Sequence, residues 1–335
     1  VNTIINLLTT PMQGTRVDVF EQIFLVFLGL GTLVGIVVIA YVLYNAYKYR
    51  DTGEPADDED LPSVGELPTG GKGGKKLFLS FGISAVIVIS LVIWTYGMLL
   101  YVEDPADGND EQQDALNVDV IGENFAWFYE YENGIESTAT LRVPAGERVW
   151  IQATGGDVWH AFGIPEQRVK ADAIPGEYDE TWFETDASEA GEQQEIQCFE
   201  LCGEYHTSMV GTLQIMDPDE FDTWMDEQLT MSFTMQDQNE SRVTEGYELT
   251  LEHQENDSVE DRTYTADDFE NGTIEINDIE QAGVYNVTIE PTDGQFEPIE
   301  EQIDMTGPVD ETYTLEMNAA ESDTNASETN DGGGN

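Results

Sequence analysis

The sequence predicts two membrane-spanning helices followed by an all-β sandwich and a second, smaller β-sandwich towards the C-terminus. Three observations carry this prediction. Two long stretches lack any charge, short runs of alternating apolar residues follow them, and a strongly acidic region with its own alternating runs closes the chain. Continuous apolar stretches of about 20 residues suit a bilayer, and period-two alternation suits half-buried strands.

Phe24 to Tyr44 and Leu77 to Tyr101 are free of charge over 21 and 25 residues. At about 1.5 Å per residue both exceed a hydrocarbon core of about 30 Å. Tyr41, Tyr44, Tyr96 and Tyr101 sit near the segment ends, where interfacial aromatics belong. The expected division is an N-terminal segment 1–23, spans 24–44 and 77–101 and an intervening loop 45–76. That loop carries Lys48, Arg50, Lys72, Lys75 and Lys76, five of the twelve basic residues. Positive charge favours the cytoplasmic side, so the loop is expected inside and both termini outside a cell membrane crossed twice.

A polar linker, 102–114, leads out of the second span. Leu116, Val118 and Val120 share one face of a predicted strand. Leu141 and Val143, then Val149, Ile151 and Ala153, flank Pro144–Glu147 and read as a hairpin, and Leu213 and Ile215 close the series. Next, Asp217 and Pro218 fit the start of a helix carrying Phe221, Trp224, Met225 and Leu229 at helical spacing, expected to pack on the sandwich. The first β domain is therefore placed at 115–229. Tyr247/Leu249/Leu251, Ile274/Ile276, Tyr285/Val287/Ile289 and Tyr313/Leu315/Met317 mark an extra β domain expected at 242–317, a small sandwich for which an immunoglobulin-like plan is one option. Its function is not legible, and the acidic tail 318–335 has the composition of a disordered segment. Asn239, Asn256, Asn271, Asn286 and Asn325 open N-x-[ST] triplets that glycosylation could use on an exposed surface.

Charge narrows the partners. The chain holds 68 acids against 12 Lys+Arg, a formal net charge of −56, yet is 40% hydrophobic and can build cores. Repulsion on this scale is largely screened at molar salt, where the Debye length is about 3 Å, so a halophilic source is expected. The same charge argues against nucleic acid, which needs basic patches.

Both cysteines and one of the three histidines fall within Cys198–Met209, "CFELCGEYHTSM". An isolated C-x3-C pair outside the membrane would most often be a disulfide. Here the run continues to His206 and Met209. Thiolates and a thioether favour copper(I), imidazole suits copper in either state, and zinc has little use for a thioether. Of the remaining histidines, His160 follows the Val149–Ala153 strand, where a cupredoxin would bring it to such a loop. His253, flanked by Glu252 and Gln254, reads as a surface residue. The expected fold class is thus a two-helix transmembrane hairpin, an all-β cupredoxin-like sandwich and a small C-terminal β-sandwich.

The combination of "DVWHAFGIP", "VKADAIPGE", "CFELCGEYHTSM" and an N-terminal two-helix hairpin resembles subunit II of haem–copper cytochrome c oxidases, here of haloarchaeal character; the match covers Phe24 to Leu229. The resemblance implies that His160, Cys198, Cys202, His206 and Met209, with the backbone carbonyl of Glu200, bind two copper ions as a copper A centre. It implies that the Glu200 side chain reaches a magnesium ion shared with subunit I, that Asp172 faces subunit I, and that Asp157 lies near the donor surface. Membrane lipid, the haem-bearing subunit I and a subunit III are the implied partners. The implied role is to accept electrons from an external carrier and pass them to haem in subunit I, where oxygen is reduced to water and protons are pumped. Two other readings stay open: the copper A subunit of a nitric oxide reductase, and a non-enzymatic copper carrier or assembly protein.

The sequence departs from the family pattern in three places. The aromatic run is "NFAWFYEYENG", with Phe125 where the family has its first Trp and Trp127 matching the second. Phe125 and Trp127 remain candidates for the point where electrons enter, and a small blue copper protein stands beside a cytochrome c as the expected donor. Lys75 and Lys76 abut the second span where family members carry a Glu at a proton channel, so that role is not carried over. Glu177 follows "IPG" where a basic residue is usual.

Overall fold

The structure is a computed structural model that describes residues 15–48, 50, 72–103, 115–256 and 258–316. Most of the expected cytoplasmic loop, residues 104–114 of the linker, the tail 318–335 and Asn325 lie outside the described residues. The chain divides into two compact units, one of residues 1–127 and 139–216, the other of 128–138 and 217–335.

Helix α1 (Arg16–Lys48) and helix α2 (Lys72–Glu103) both extend beyond the predicted spans. The earlier start of α1 has a local cause. Thr15 accepts at Oγ1 from the Asp18 N–H (3.2 Å), and Asp18 Oδ2 accepts from the Thr15 N–H (3.0 Å), a reciprocal capping pair. Residues 16–23, expected as an external segment, are therefore helical. Along most of both helices the apolar side chains face outward, as lipid contact requires. Near one end Val19, Met98 and Val102 form a buried cluster with Phe20, Ile23, Trp94 and Tyr101 packed against it.

Ten strands follow: β1 (Leu116–Glu123), β2 (Ala126–Tyr131), β3 (Glu136–Thr138), β4 (Thr140–Pro144), β5 (Arg148–Gly155), β6 (His160–Ile164), β7 (Val169–Ala173), β8 (Asp179–Glu184), β9 (Gln193–Cys198) and β10 (Val210–Met216). In the first unit β5 lies between parallel β1 and antiparallel β8. The facing sheet runs β4-β10-β9-β6-β7. Val120, Leu141, Val143, Val149, Ile151, Ala153, Ile196, Leu213 and Ile215 are fully buried between them. The helical pair is tied to β8: Trp182 Nε1 donates to Val102 O (3.1 Å), and Arg16 Nη1 donates to Trp182 O (2.8 Å).

One expected hairpin is corrected. β4 and β5 do flank the Pro144–Glu147 turn, but β4 pairs in parallel with β10 while β5 pairs with β1 and β8. The turn thus crosses from one sheet to the other. Leu141, Val143, Val149 and Ile151 all point into the core, so the two strands face each other across it instead of pairing edge to edge. The next N–H after Pro144, that of Ala145, is taken by Met216 O (2.8 Å).

The second unit holds Phe128–Thr138, helix α3 (Pro218–Gln228) and seven strands: β11 (Met231–Asp237), β12 (Tyr247–His253), β13 (Arg262–Thr265), β14 (Thr273–Ile276), β15 (Gly283–Pro291), β16 (Ile299–Met305) and β17 (Val309–Leu315). They form sheets β14-β11-β17 and β13-β12-β15-β16. This unit begins before Arg242, because Met231, Phe233 and Met235 of β11 are fully buried in it. Helix α3 belongs to it too, with Trp224 stacked 5.5 Å from Tyr131 between ring centroids.

His253 is not a surface residue. Strand β12 alternates, so Tyr247, Leu249, Leu251 and His253 share its buried face while Glu252 and Gln254 point away. Its charged neighbours in sequence report on the opposite face.

Candidate metal centre

The candidate site is built from β6, β9 and the connection between β9 and β10. His160 opens β6, whose Phe162 pairs with Cys198 at the end of β9. The loop from Phe199 to Met209 returns to β10. It is pinned at both ends, by Phe199 N–H to Ala161 O (2.8 Å) and by Cys198 N–H to Met209 O (3.3 Å). A single turn of 3-10 helix, His206–Ser208, brings His206 back over Cys202.

Both cysteines are free thiols. Their sulfurs are 3.9 Å apart, far beyond the roughly 2.05 Å of a disulfide, which removes the pairing that C-x3-C alone left open. His160 Nδ1 is 4.0 Å from Cys198 Sγ, and His206 Nδ1 is 3.7 Å from Cys202 Sγ. Met209 Sδ lies 3.8 Å from Cys202 Sγ, and the Glu200 carbonyl oxygen 3.2 Å from Cys198 Sγ. His160, Cys198 and Cys202 offer donor atoms within 4.8 Å of one another. The arrangement therefore fits a soft metal with shared thiolates. Burial, with the charge of Cys198 adding to it, pushes the Cys202 thiol up to about 11, a penalty that a bound cation removes by taking the thiolate as ligand.

Asp157 holds the histidine. Its Oδ1 is 2.8 Å from His160 Nε2, and the carboxylate also accepts from the N–H of Val158 (2.6 Å) and Asn124 (3.0 Å). Burial works to raise this carboxyl, but these hydrogen bonds together outweigh it and keep it below the ordinary carboxylate range. A carboxylate there fixes the proton on Nε2 and leaves the Nδ1 lone pair facing the sulfurs. The sequence reading missed this contact, although D-x-x-H spacing was its visible signal.

The other candidates are spread more widely. Phe125 is half-buried at the tip between β1 and β2, its ring 5.5 Å from that of Tyr205. Trp127 is fully buried behind the site, 6.1 Å from the His160 ring. Asp172 lies on β7, with a carboxylate 3.0 Å from Lys170 Nζ. Val158, Trp159, Leu201 and Tyr205, beside the ligand positions in sequence, are exposed.

The chain has relatives among known proteins. The family profile "Cytochrome C oxidase subunit II, periplasmic domain" matches residues 134–216. Over 213 residues the chain is 37% identical to "Heme-copper oxidase subunit 2" of Aeropyrum pernix, spanning 61% of this chain and 87% of that protein. The chain belongs to the subunit II family of haem–copper oxidases. It is 29% identical to cytochrome c oxidase subunit 2 of Alkalihalophilus pseudofirmus over 227 residues, 66% of this chain and 61% of that longer relative. Among solved structures, the periplasmic domain of cytochrome oxidase subunit II from Bradyrhizobium japonicum aligns with 31% identity and a TM-score of 0.32, covering 33% of this chain and 91% of that one. Members of this family are subunits of oxidoreductase complexes, and the two apolar helices of this chain are consistent with a membrane-anchored subunit II.

Proposed function

We propose that this chain is the electron-accepting subunit of a respiratory terminal oxidase. It takes electrons from an external carrier at a copper A centre and passes them to haem in subunit I for reduction of oxygen to water with proton pumping. The observation that carries this reading is the pair of free cysteine sulfurs 3.9 Å apart, flanked by two imidazoles and a thioether. When bound, a dinuclear copper centre supplies one-electron storage shared across both metals, which keeps geometric change on reduction small.

The chain's own part is to hold the donors still and keep water away. Cys198 and Cys202 act as shared thiolates. His160 and His206 present Nδ1, and Asp157 keeps a proton on Nε2 of His160. Met209, 1% exposed, and the Glu200 carbonyl serve as weak contacts that tune potential more than affinity. The Glu200 side chain is the proposed ligand of a magnesium ion at subunit I, and Asp172 a proposed contact there. Phe125, half-buried at the rim, is the better placed of the two aromatic candidates to meet a donor, with Trp127 behind it. The external donor is a cytochrome c or a small blue copper protein, met near Asp157. Both termini lie outside the cell membrane on this reading, and subunit III completes the complex. The acidic composition fits a halophile.

The test is to load the purified full chain with copper in high salt and measure metal content and the electron paramagnetic resonance spectrum. Two coppers per chain with a multiline mixed-valence signal are expected. A single mononuclear copper, or a Cys198–Cys202 disulfide that excludes metal, would overturn the proposal.

A further inference from the structure

The backbone takes two successive left-handed residues beside the candidate metal site, at the two-residue turn Asn124–Phe125. Both residues have positive φ, 51° and 60°. Such turns favour Asn-Gly, and a bulky residue in the second place is a genuine outlier that persists only where its surroundings over-determine it. Asn124 suits its position. Phe125 does not, so something must hold it there.

Two contacts do. On one side the Asn124 N–H donates to Asp157, 3.0 Å away, the same carboxylate that meets His160 Nε2 at 2.8 Å. On the other side the Phe125 ring stacks edge-on against Tyr205 and lies over Gly203. A Cβ on Gly203 would come within 3.1 Å of that ring, and the φ of 136° there suits glycine alone. Gly203 and Tyr205 fall between the ligand positions Cys202 and His206. Two more glycines let the turn sit close: a Cβ on Gly122 would approach Trp127 to 2.9 Å and His160 to 3.1 Å, and one on Gly156 would meet Glu123 at 2.9 Å.

We propose that the Asn124–Phe125 turn is a clamp, with Asp157 and Phe125 as positioning residues that preset the ligands before metal binds. Asp157 sets the His160 ring from one end of the turn. Phe125 presses the Gly203–Tyr205 segment from the other and so sets the Cys202-to-His206 spacing. This gives Phe125 a role independent of electron passage, resting on the metal-site reading above.

The test compares Phe125→Gly and Phe125→Trp in the full chain. Glycine relieves the strained backbone but removes the ring, so global thermal stability should hold or rise. In the metal-free chain, exchange of the His206 and Ser208 amides, which donate to Gly203 O (3.3 Å) and Tyr205 O (2.8 Å), should quicken at least about tenfold in Phe125→Gly while the sheet amides of β5 and β9 stay as protected as before. After copper loading, that variant should show a shifted reduction potential and altered hyperfine splitting, and Phe125→Trp should restore both. Unchanged exchange of the His206 and Ser208 amides in Phe125→Gly overturns the clamp, as does an unchanged potential and spectrum. The exchange measurement needs no metal, so it stands or falls separately from the copper content that tests the centre itself.

Discussion

The two units each bury a histidine in a β-sandwich, and the two histidines are used in opposite ways. In the second unit His253 has both ring nitrogens occupied. Its Nε2 donates to Ala282 O at 3.0 Å, and its Nδ1 accepts from the N–H groups of Glu255 (3.2 Å) and Asn256 (2.9 Å). That is a neutral imidazole spent wholly on holding a turn. In the first unit His160 is fully buried, but only Nε2 has a hydrogen-bonding partner within 3 Å, while Nδ1 faces a thiol at 4.0 Å. Burial alone therefore does not mark a ligand. A ring nitrogen left facing a thiol, with its opposite nitrogen held by a carboxylate, is what makes His160 a candidate.

The largest expected effect breaks the first half of this comparison. Cys202→Ser replaces a soft, shareable thiolate with a hydroxyl that a soft metal binds poorly. Copper content should fall from two to one or none per chain, and the mixed-valence signal should vanish. A variant that keeps two coppers and the same spectrum would show that the sulfurs are not shared.

The second half is tested by His253→Ala, which leaves the buried Ala282 carbonyl without its donor, frees the N–H groups of Glu255 and Asn256 and opens a cavity where the ring was packed. The cost should be about 2–4 kcal/mol. For a unit of this size that lowers its unfolding midpoint by roughly 10 °C or more. The copper spectrum should not change. Loss of copper in this variant, with the fold intact, would make His253 a ligand and collapse the distinction.

How much of this was readable in advance follows from the kind of signal involved. The spans were legible because lipid demands long uncharged runs, and the Cys198–Met209 loop because it concentrates scarce donor types. Their edges were less so. The Thr15–Asp18 cap that starts α1 is a four-residue pattern easily passed over beside a 21-residue apolar run. Strand β11 was missed although Met231, Phe233 and Met235 alternate cleanly, because the preceding helix was read as the end of a domain. The β4–β5 turn defeats sequence reasoning for a different reason: a hairpin and a crossing between sheets share the same alternation and turn residues, and only the partners differ. Asp157 and Phe125 lie at the limit. That one meets the ring of His160 and the other holds a positive φ are facts about loops brought together from separate stretches, which no periodicity encodes.

The last prediction concerns the second unit alone. Burial pushes Tyr247 and Tyr285 up to about 12, and raises Tyr129 and Tyr313 as well. All four lie inside the fold where a phenolate would be poorly solvated, and two donate to backbone carbonyls, Tyr247 to Val243 O at 3.3 Å and Tyr285 to Gln281 O at 2.6 Å. In the unfolded chain each phenol ionises near its ordinary value of about 10. Below that pH both states are neutral and these groups contribute nothing to pH dependence. Above it the unfolded chain has lost protons that the folded unit still holds, so stability falls as pH rises towards 12. Stability of the second unit should therefore decline over this window, and tyrosinate absorbance should rise cooperatively with its unfolding. A gradual rise that accounts for all fourteen tyrosines with the sheets intact would mean that these phenols reach solvent. Repeating the titration in His253→Ala sharpens the comparison further: the weakened turn has less stability to lose, so its transition should come at lower pH, while the same titration of Cys202→Ser should match the unaltered chain.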